Sequence, residues 1–504
     1  PIPYFLYQMF TKPEERLYIS YGSLDFSSQP QRPSMVFGFL QELFPNLKML
    51  LAKSRMEVFG SYEAVEYVSD ALRKIRAGEM SREEPGFLQL FKEIDQRLFP
   101  KLLQMAFYVY KKEGIGREAA MGLFGKEISA GVTRLELFHA CPYAHFLRYG
   151  LRLAERKVHS FVPADLGVLV HSLLEYVFAY AREHEILISK AAPEELEALT
   201  RQAAKLCLTG GKIFEESKRN RYQMERILQM TRFNLGILGK QLAAGDFLPR
   251  FFERSFGEKD RLQALTMDLR CGGKLKLRGK IDRVDVWDTE DQMFVKVVDY
   301  KTGSLKWEPD LPIYGREMQL ILYMDAMLEQ LGILYPQKKI LPAAFLYYHI
   351  DYPLLTRESF RDAPDVLLRE LRPTGLVNAS GEVIRHLDRD IEKNSSVIPV
   401  MFTKEGAFGA YASVADTRRF KALGNYVRKK AKEAGEEILQ GNISISPMMR
   451  GNMTQCDYCP YGAVCGFDPR LAGFAYRNLE KISKDDVWEI IENGKLDEGP
   501  AGSN

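Results

Sequence analysis

The sequence lacks most of the features that mark a specialised class. Its 504 residues carry 70 basic and 67 acidic side chains, a formal net charge of +3, so no global field draws in nucleic acid. Any DNA contact must come from local patches. No apolar run reaches the roughly 18 residues needed to span a bilayer, which argues against a membrane-crossing helix. The six cysteines, Cys141, Cys207, Cys271, Cys456, Cys459 and Cys465, are too few and too uneven for a secreted disulfide scaffold and point to a reducing, intracellular setting. The first 125 residues hold no Gly-rich phosphate loop, so this stretch brings no nucleotide site of its own. The opening Pro1-Ile2-Pro3-Tyr4 is not a signal peptide, and without an initiator methionine the chain is expected to be a piece of a longer one. What remains is an ordinary globular composition, 46% hydrophobic and 27% charged, long enough for two or three domains.

The spacing of apolar residues predicts a strand at Leu17–Tyr21, a polar loop from Ser27 to Ser34, and helices over Phe37–Leu43, Val65–Ile75 and Phe87–Tyr110. Lys111–Gly125, with four glycines, reads as a linker. A new unit then opens, with Thr133 as expected N-cap and Glu136 completing a capping box. A helix over Leu166–Glu183 places His171 and Glu175 on one face. Residues 190–245 read as helical, Arg250–Phe256 as the start of a strand region, and Trp307–Gly315 as a loop. Arg316–Leu331 is predicted as a helix stopped by Gly332, with Gln319 and Tyr323 forming a polar pair four residues apart. Leu341–Ile350 is a core strand, 352–410 an aperiodic excursion, and Thr417–Leu439 a basic helix whose cations are either solvated or track phosphates. From Leu479 one amphipathic helix and a disordered end, 499–504, are expected.

The densest chemistry lies in Gly279-Lys280-Ile281-Asp282-Arg283-Val284-Asp285 and Val297-Val298-Asp299-Tyr300-Lys301-Thr302-Gly303. Leu275, Leu277 and Ile281 share an even spacing in the first strand, and Phe294–Val298 is a β-branched run in the second. A turn centred between Glu290 and Asp291 sets Asp282 opposite Asp299. Side chains two apart share a face, so Lys301 projects beside Asp299. Two carboxylates so close repel, and a hard divalent cation relieves that repulsion. Glu253 is a further carboxylate within reach of this hairpin.

Cys456, Cys459 and Cys465 form a C-x2-C-x5-C cluster, a metal signal that suits either zinc or an iron-sulfur centre. A fourth soft ligand must come from Cys141, Cys207 or Cys271. Cys141 stands out because Pro142-Tyr143 follows it as Pro460-Tyr461 follows Cys459. Such a ligand set would join segments more than 300 residues apart.

In order, Leu169-Val170-His171-Ser172-Leu173-Leu174-Glu175, the two hairpin strands and Gln319-Leu320-Ile321-Leu322-Tyr323 resemble the RecB-type PD-(D/E)XK nucleases. With the cysteines, the whole resembles their iron-staple members, which carry a 4Fe-4S cluster. Over essentially its whole length the chain is similar to the AddB-type subunits of bacterial AddAB helicase-nucleases. The resemblance implies an α/β fold, a mixed central sheet flanked by helices, preceded by the largely helical end of a helicase-like domain. It implies three parts: 1–125, the end of an inactive helicase-like region; 126–470, the nuclease domain with its staple; and 471–504, a C-terminal helix and tail. Leu6–Pro13 falls where active relatives place an arginine on the nucleotide's terminal phosphate. Lys12-Pro13 here fits a non-motor fold, so ATP would enter only through a preceding segment or the partner.

By the same resemblance, Mg2+ is held by Asp282, Asp299, the Tyr300 carbonyl and His171. Lys301 orients the attacking water and stabilises developing charge, and Gln319 and Tyr323 position the strand. The cluster sits on Cys141, Cys456, Cys459 and Cys465. The implied partners are an AddA-type helicase-nuclease subunit in a heterodimer, double-stranded DNA ends and single-stranded DNA, with no membrane. The implied role is trimming the strand of 5'-to-3' polarity at broken ends in the bacterial cytoplasm, with a response to a recombination hotspot. Two alternatives are a DNA-end-binding scaffold whose nuclease residues idle, and a standalone iron-sulfur nuclease. The helicase-like front and the 352–410 excursion weigh against the latter.

Overall fold

The computed structural model describes all residues except 1, 23–29, 48–59, 80–83, 113, 156–162, 208–217, 258–262, 304–305, 353–362 and 495–504. The expected disordered end therefore lies outside the described residues. The chain divides into two compact units, Pro1–Tyr108 and Val109–Asn504.

In the first unit, helices Ser61–Ala77, Glu84–Ile94 and Leu98–Ala106 share a small core of Val68, Ala71, Leu72, Leu88 and Phe91. The helix expected over Phe87–Tyr110 is broken because the Asp95 carboxylate accepts the backbone N–H of Leu98 at 2.8 Å and restarts the chain as a new helix. Leu17–Tyr21 is not a strand. It is exposed and pairs with no described strand, so its backbone has no ladder to join.

The second unit is built on a six-stranded mixed sheet whose order follows the chain: β1 (Leu248–Phe256), β2 (Gly279–Asp288), β3 (Gln292–Lys301), β4 (Lys339–His349), β5 (Thr374–Asn378) and β6 (Val414–Ala415). β1, β2 and β3 run antiparallel in turn, whereas β3 and β4 are parallel. That crossover is made by a helix, as a parallel connection requires. Helices α1 (Val132–Ala140), α2 (Pro163–Glu183), α3 (Pro193–Cys207), α4 (Lys218–Ala243), α5 (Gln319–Leu334) and α6 (Thr417–Gln440) cover the sheet. On one face Val284, Val286, Val295, Val297, Phe345 and Tyr347 pack with α1, α5 and α6. On the other, Val298, Tyr300 and Tyr348 meet α2, α3 and α4. β3 is thus covered on both sides, which explains its apolar run from Met293 to Val298, interrupted only by Lys296.

Several expectations are corrected. Leu275 and Leu277 do not share a strand with Ile281. Lys274–Leu277 pairs with Glu127–Ala130 and Leu265–Asp268 in a separate three-stranded sheet, and the chain crosses to β2 at Arg278, whose N–H donates to the Ala130 carbonyl. The capping box at Thr133 does not form: α1 begins at Val132 behind Gly131, and the Glu136 carboxylate is used elsewhere. α5 starts at Gln319 because Gly315 and Glu317 hold left-handed backbone, φ 73° and 51°, and it runs through Gly332 to Leu334. The supposed linker contains a helix, Gly116–Phe124, with Ala120 fully buried. The 352–410 excursion contributes β5, too short to show an alternation in sequence. The basic helix α6 buries Phe420, Leu423, Val427, Ala431 and Ala434, and its Arg428 pairs with Asp325 of α5 at 2.7 Å, so part of its charge is structural.

Candidate active site

β2 and β3 pair in the register that sets Asp282 beside Asp299, since Arg283 faces Val298 and Val284 faces Val297. β1 extends the row. Phe252 faces Arg283 and Arg254 faces Ile281, which puts Glu253 opposite Asp282. Glu253 holds left-handed backbone, φ 45°, an unfavourable conformation for a residue with a Cβ and one often found at functional sites.

His171 reaches this row from α2. Its Nδ1 lies 3.2 Å from Asp282 Oδ2 and 3.9 Å from Glu253 Oε1. Asp282 Oδ2 also accepts the Tyr300 backbone N–H at 2.8 Å. Tyr300 sends its ring to the opposite face, where its hydroxyl accepts from Arg283 at 3.0 Å. Ligand atoms of His171, Glu253 and Asp282 all lie within 4.8 Å of one another, the one such group among the described residues. Asp299 stands outside that trio. Lys301 Nζ is 2.6 Å from its Oδ2, and the Gln319 amide donates to its Oδ1 at 3.0 Å. Lys301 also donates to Gln319 Oε1 at 3.4 Å, so Gln319 ties the acid to the base. Tyr323, one turn along α5, is buried against Gly279, and its hydroxyl hydrogen-bonds Gln319.

The electrostatics record the crowding. Burial, reinforced by the Asp282 charge and opposed by Lys301, pushes the Asp299 carboxyl up to about 6. Burial also raises Glu253, with Asp282 adding to the effect and Lys280, in contact with its carboxylate, opposing it. For His171, burial pulls the pKa down, but Asp282, Asp299 and Glu253 together outweigh it and the net shift is upward. The Glu253 and Asp282 carboxylates with the His171 imidazole form a donor set that suits a divalent ion, with the Asp299 carboxylate on the facing strand. Glu253 was visible in sequence only as a carboxylate near the hairpin. Its place in the row follows from the β1 register.

The cysteines form a second site. Cys141 caps the C-terminus of α1, Cys456 lies in a short 3-10 turn, Cys459 follows it and Cys465 closes a four-residue helix. All four thiols are free and line one cavity with Tyr143, Leu147 and Phe467. Burial and the neighbouring thiols push Cys456 up to about 11, and burial raises Cys459 and Cys465. Cys207 instead donates to the Ser172 carbonyl at 3.6 Å, and Cys271 packs at the edge of the main core. The four thiols are soft donors that suit either a zinc ion or an iron-sulfur centre.

Residues 129–466 match the sequence model of the PD-(D/E)XK nuclease superfamily. The chain belongs to this superfamily. The chain is also similar, over nearly all its length, to the B-type subunits of proteins called ATP-dependent helicase/deoxyribonuclease. That of Lachnoclostridium phytofermentans is 34% identical, with 97% of this chain and 43% of the relative covered. Those of Clostridium tetani and Caldanaerobacter subterraneus subsp. tengcongensis are 30% and 29% identical, covering 97% and 98% of this chain and 44% of each relative. The chain thus spans less than half the length of the curated relatives it matches. No helix among the described residues is long and apolar enough to cross a membrane.

Proposed function

We propose that this PD-(D/E)XK nuclease is the metal-dependent DNA exonuclease part of a helicase-nuclease complex that resects double-strand breaks for recombinational repair in the bacterial cytoplasm. The observation that carries the reading is the meeting of His171, Glu253, Asp282, Asp299 and Lys301 at one end of the sheet. DNA as substrate and a helicase partner are supported by the name the relatives share. An AddA-type partner in a heterodimer, action on double-stranded ends and single strands, and cutting in the 5'-to-3' direction follow from the AddB-type resemblance.

Asp282 and Asp299, with His171, Glu253 and the Tyr300 carbonyl, would hold Mg2+, which lowers the pKa of the attacking water and offsets charge on the phosphate. Lys301, held against Asp299, orients that water and stabilises the charge that develops on the phosphoryl oxygens. Gln319 fixes Asp299 and Lys301 relative to each other, and Tyr323 braces Gln319 from the next turn. The four cysteines would hold a 4Fe-4S cluster that fastens the start of the nuclease unit to its end, restraining the chain by loop closure. ATP would be used by the partner or by a segment outside this chain.

The test is digestion of end-labelled linear DNA and of a covalently closed circle, with and without a chelator. Loss of label from the linear DNA alone, abolished by the chelator, is the expected result. Chelator-resistant cutting, or equal cutting of the circle, would refute the proposal.

A further inference from the structure

α1 stands between the two sites. Its C-terminal residue leads directly into Cys141, and five residues before that cysteine Glu136 faces the start of α5. α5 lacks an N-cap of its own: Met318 occupies that position with helical backbone and no side-chain capping bond. The first N–H groups of a helix need acceptors from elsewhere. Glu136 Oε1 accepts the Met318 N–H at 2.8 Å, and the Gln319 N–H also donates to this carboxylate. The backbone is pinned beside it, because Arg316 donates to the Glu136 carbonyl at 3.3 Å. Gly315 lies so close to the His139 ring, also on α1, that a Cβ there would overlap it. The residue launched from this clamp is Gln319, whose amide joins Asp299 to Lys301.

We propose that Glu136 is a positioning residue for the nuclease reaction: a cap supplied by a neighbouring helix that sets the first turn of α5, and through it the placement of Gln319 between Asp299 and Lys301. The proposal rests on the nuclease reading above. A carboxylate suits the task twice over, accepting backbone N–H groups and meeting the positive end of the α5 dipole. Because α1 also carries Cys141 at its end, the same short helix connects the cysteine site to the acid row. A cap that served only stability would lower the melting temperature of the variant without changing turnover by the folded protein.

The experiment uses the full chain, purified anaerobically, with melting temperature and visible absorbance recorded for each variant. Glu136→Ala should lower kcat on linear DNA by about 10- to 100-fold, the scale of a misplacement near 1 Å, while KM changes little. Glu136→Gln, whose amide oxygen still accepts the Met318 N–H, should recover most of that loss. In a Gln319→Ala background, Glu136→Ala should cost no more than about twofold further, because the group it acts through is gone. Should Glu136→Ala fail to fold, Glu136→Asp draws the acceptor back by one methylene and carries the same expectation in weaker form. Wild-type kcat in Glu136→Ala or Glu136→Asp, no recovery in Glu136→Gln, or fully multiplicative losses in the double variant would each overturn the proposal. Asp299→Ala is the control for the underlying reading. If it cleaves like wild type, the nuclease assignment fails; if it is inactive while the Glu136 variants are normal, only the positioning role fails.

Discussion

Glu317→Gln should make the protein more resistant to unfolding at alkaline pH and change little in acid. Glu317 sits in the turn before α5, half-buried, accepting the Glu308 N–H at 3.1 Å. Burial is the main cause that pushes its carboxyl from 4.5 up to about 8, and the charges of Glu136 and Glu308 add to it. The folded state therefore holds this proton where the unfolded chain releases it. The resulting stabilisation is present below about pH 4.5 and is lost as pH rises through 8. Each tenfold change in acidity between the unfolded and folded states is worth at most about 1.4 kcal/mol, and partial solvent access reduces the total to about 2 kcal/mol. Gln keeps the acceptor for the Glu308 N–H and cannot ionise, so the variant escapes that loss. Thermal unfolding of both proteins at pH 5, 7 and 9 tests this, since other titrating groups cancel in the comparison. A gap that widens from pH 5 to 9 in favour of the variant is expected. A constant gap, or one that widens in acid, would refute the account of this buried carboxyl.

Gly279→Ala places a Cβ 2.6 Å from Tyr323 Cε1 and 2.9 Å from Phe256 Cε1. It should cost about 1–3 kcal/mol through overpacking and lower cleavage together with melting temperature, and unchanged values would show that the contact is slack. Glu253→Gln should raise the Mg2+ concentration for half-maximal cleavage by about tenfold or more, read from a metal titration, if Glu253 is a ligand; an unshifted curve removes it from the site. Cys456→Ala should abolish the brown iron-sulfur absorbance and expose the nuclease unit to proteolysis. A colourless wild type that resists protease equally well would contradict the staple.

The hairpin was legible because its turn is short and polar, so the register, and with it the pairing of Asp282 and Asp299, follows from the position of Glu290 and Asp291. Gln319 and Tyr323 were legible through helical spacing, and the three clustered cysteines through their own. Glu253 was harder to place. It sits on a strand whose register shifts between Pro249 and Phe251, a change that leaves no mark in the residue pattern. Alternation misled at Leu275, Leu277 and Ile281, since an even spacing continues unbroken across Arg278, where the chain changes sheets. Glu136 misled for a related reason: a Glu three residues after a Thr fits a capping box, but here it caps a helix 182 residues away. Local patterns reveal which groups a residue can satisfy, whereas tertiary packing selects which one it does.

The central claim is that the acid row cuts DNA with a bound metal, and Asp299→Ala tests it most directly. Asp299 is buried, contacts Lys301 and Gln319, and sits beside Asp282. Mg2+-dependent cleavage of linear DNA should fall by about 100-fold or more while DNA binding, measured in chelator, is retained. Cleavage at the wild-type rate would contradict the account.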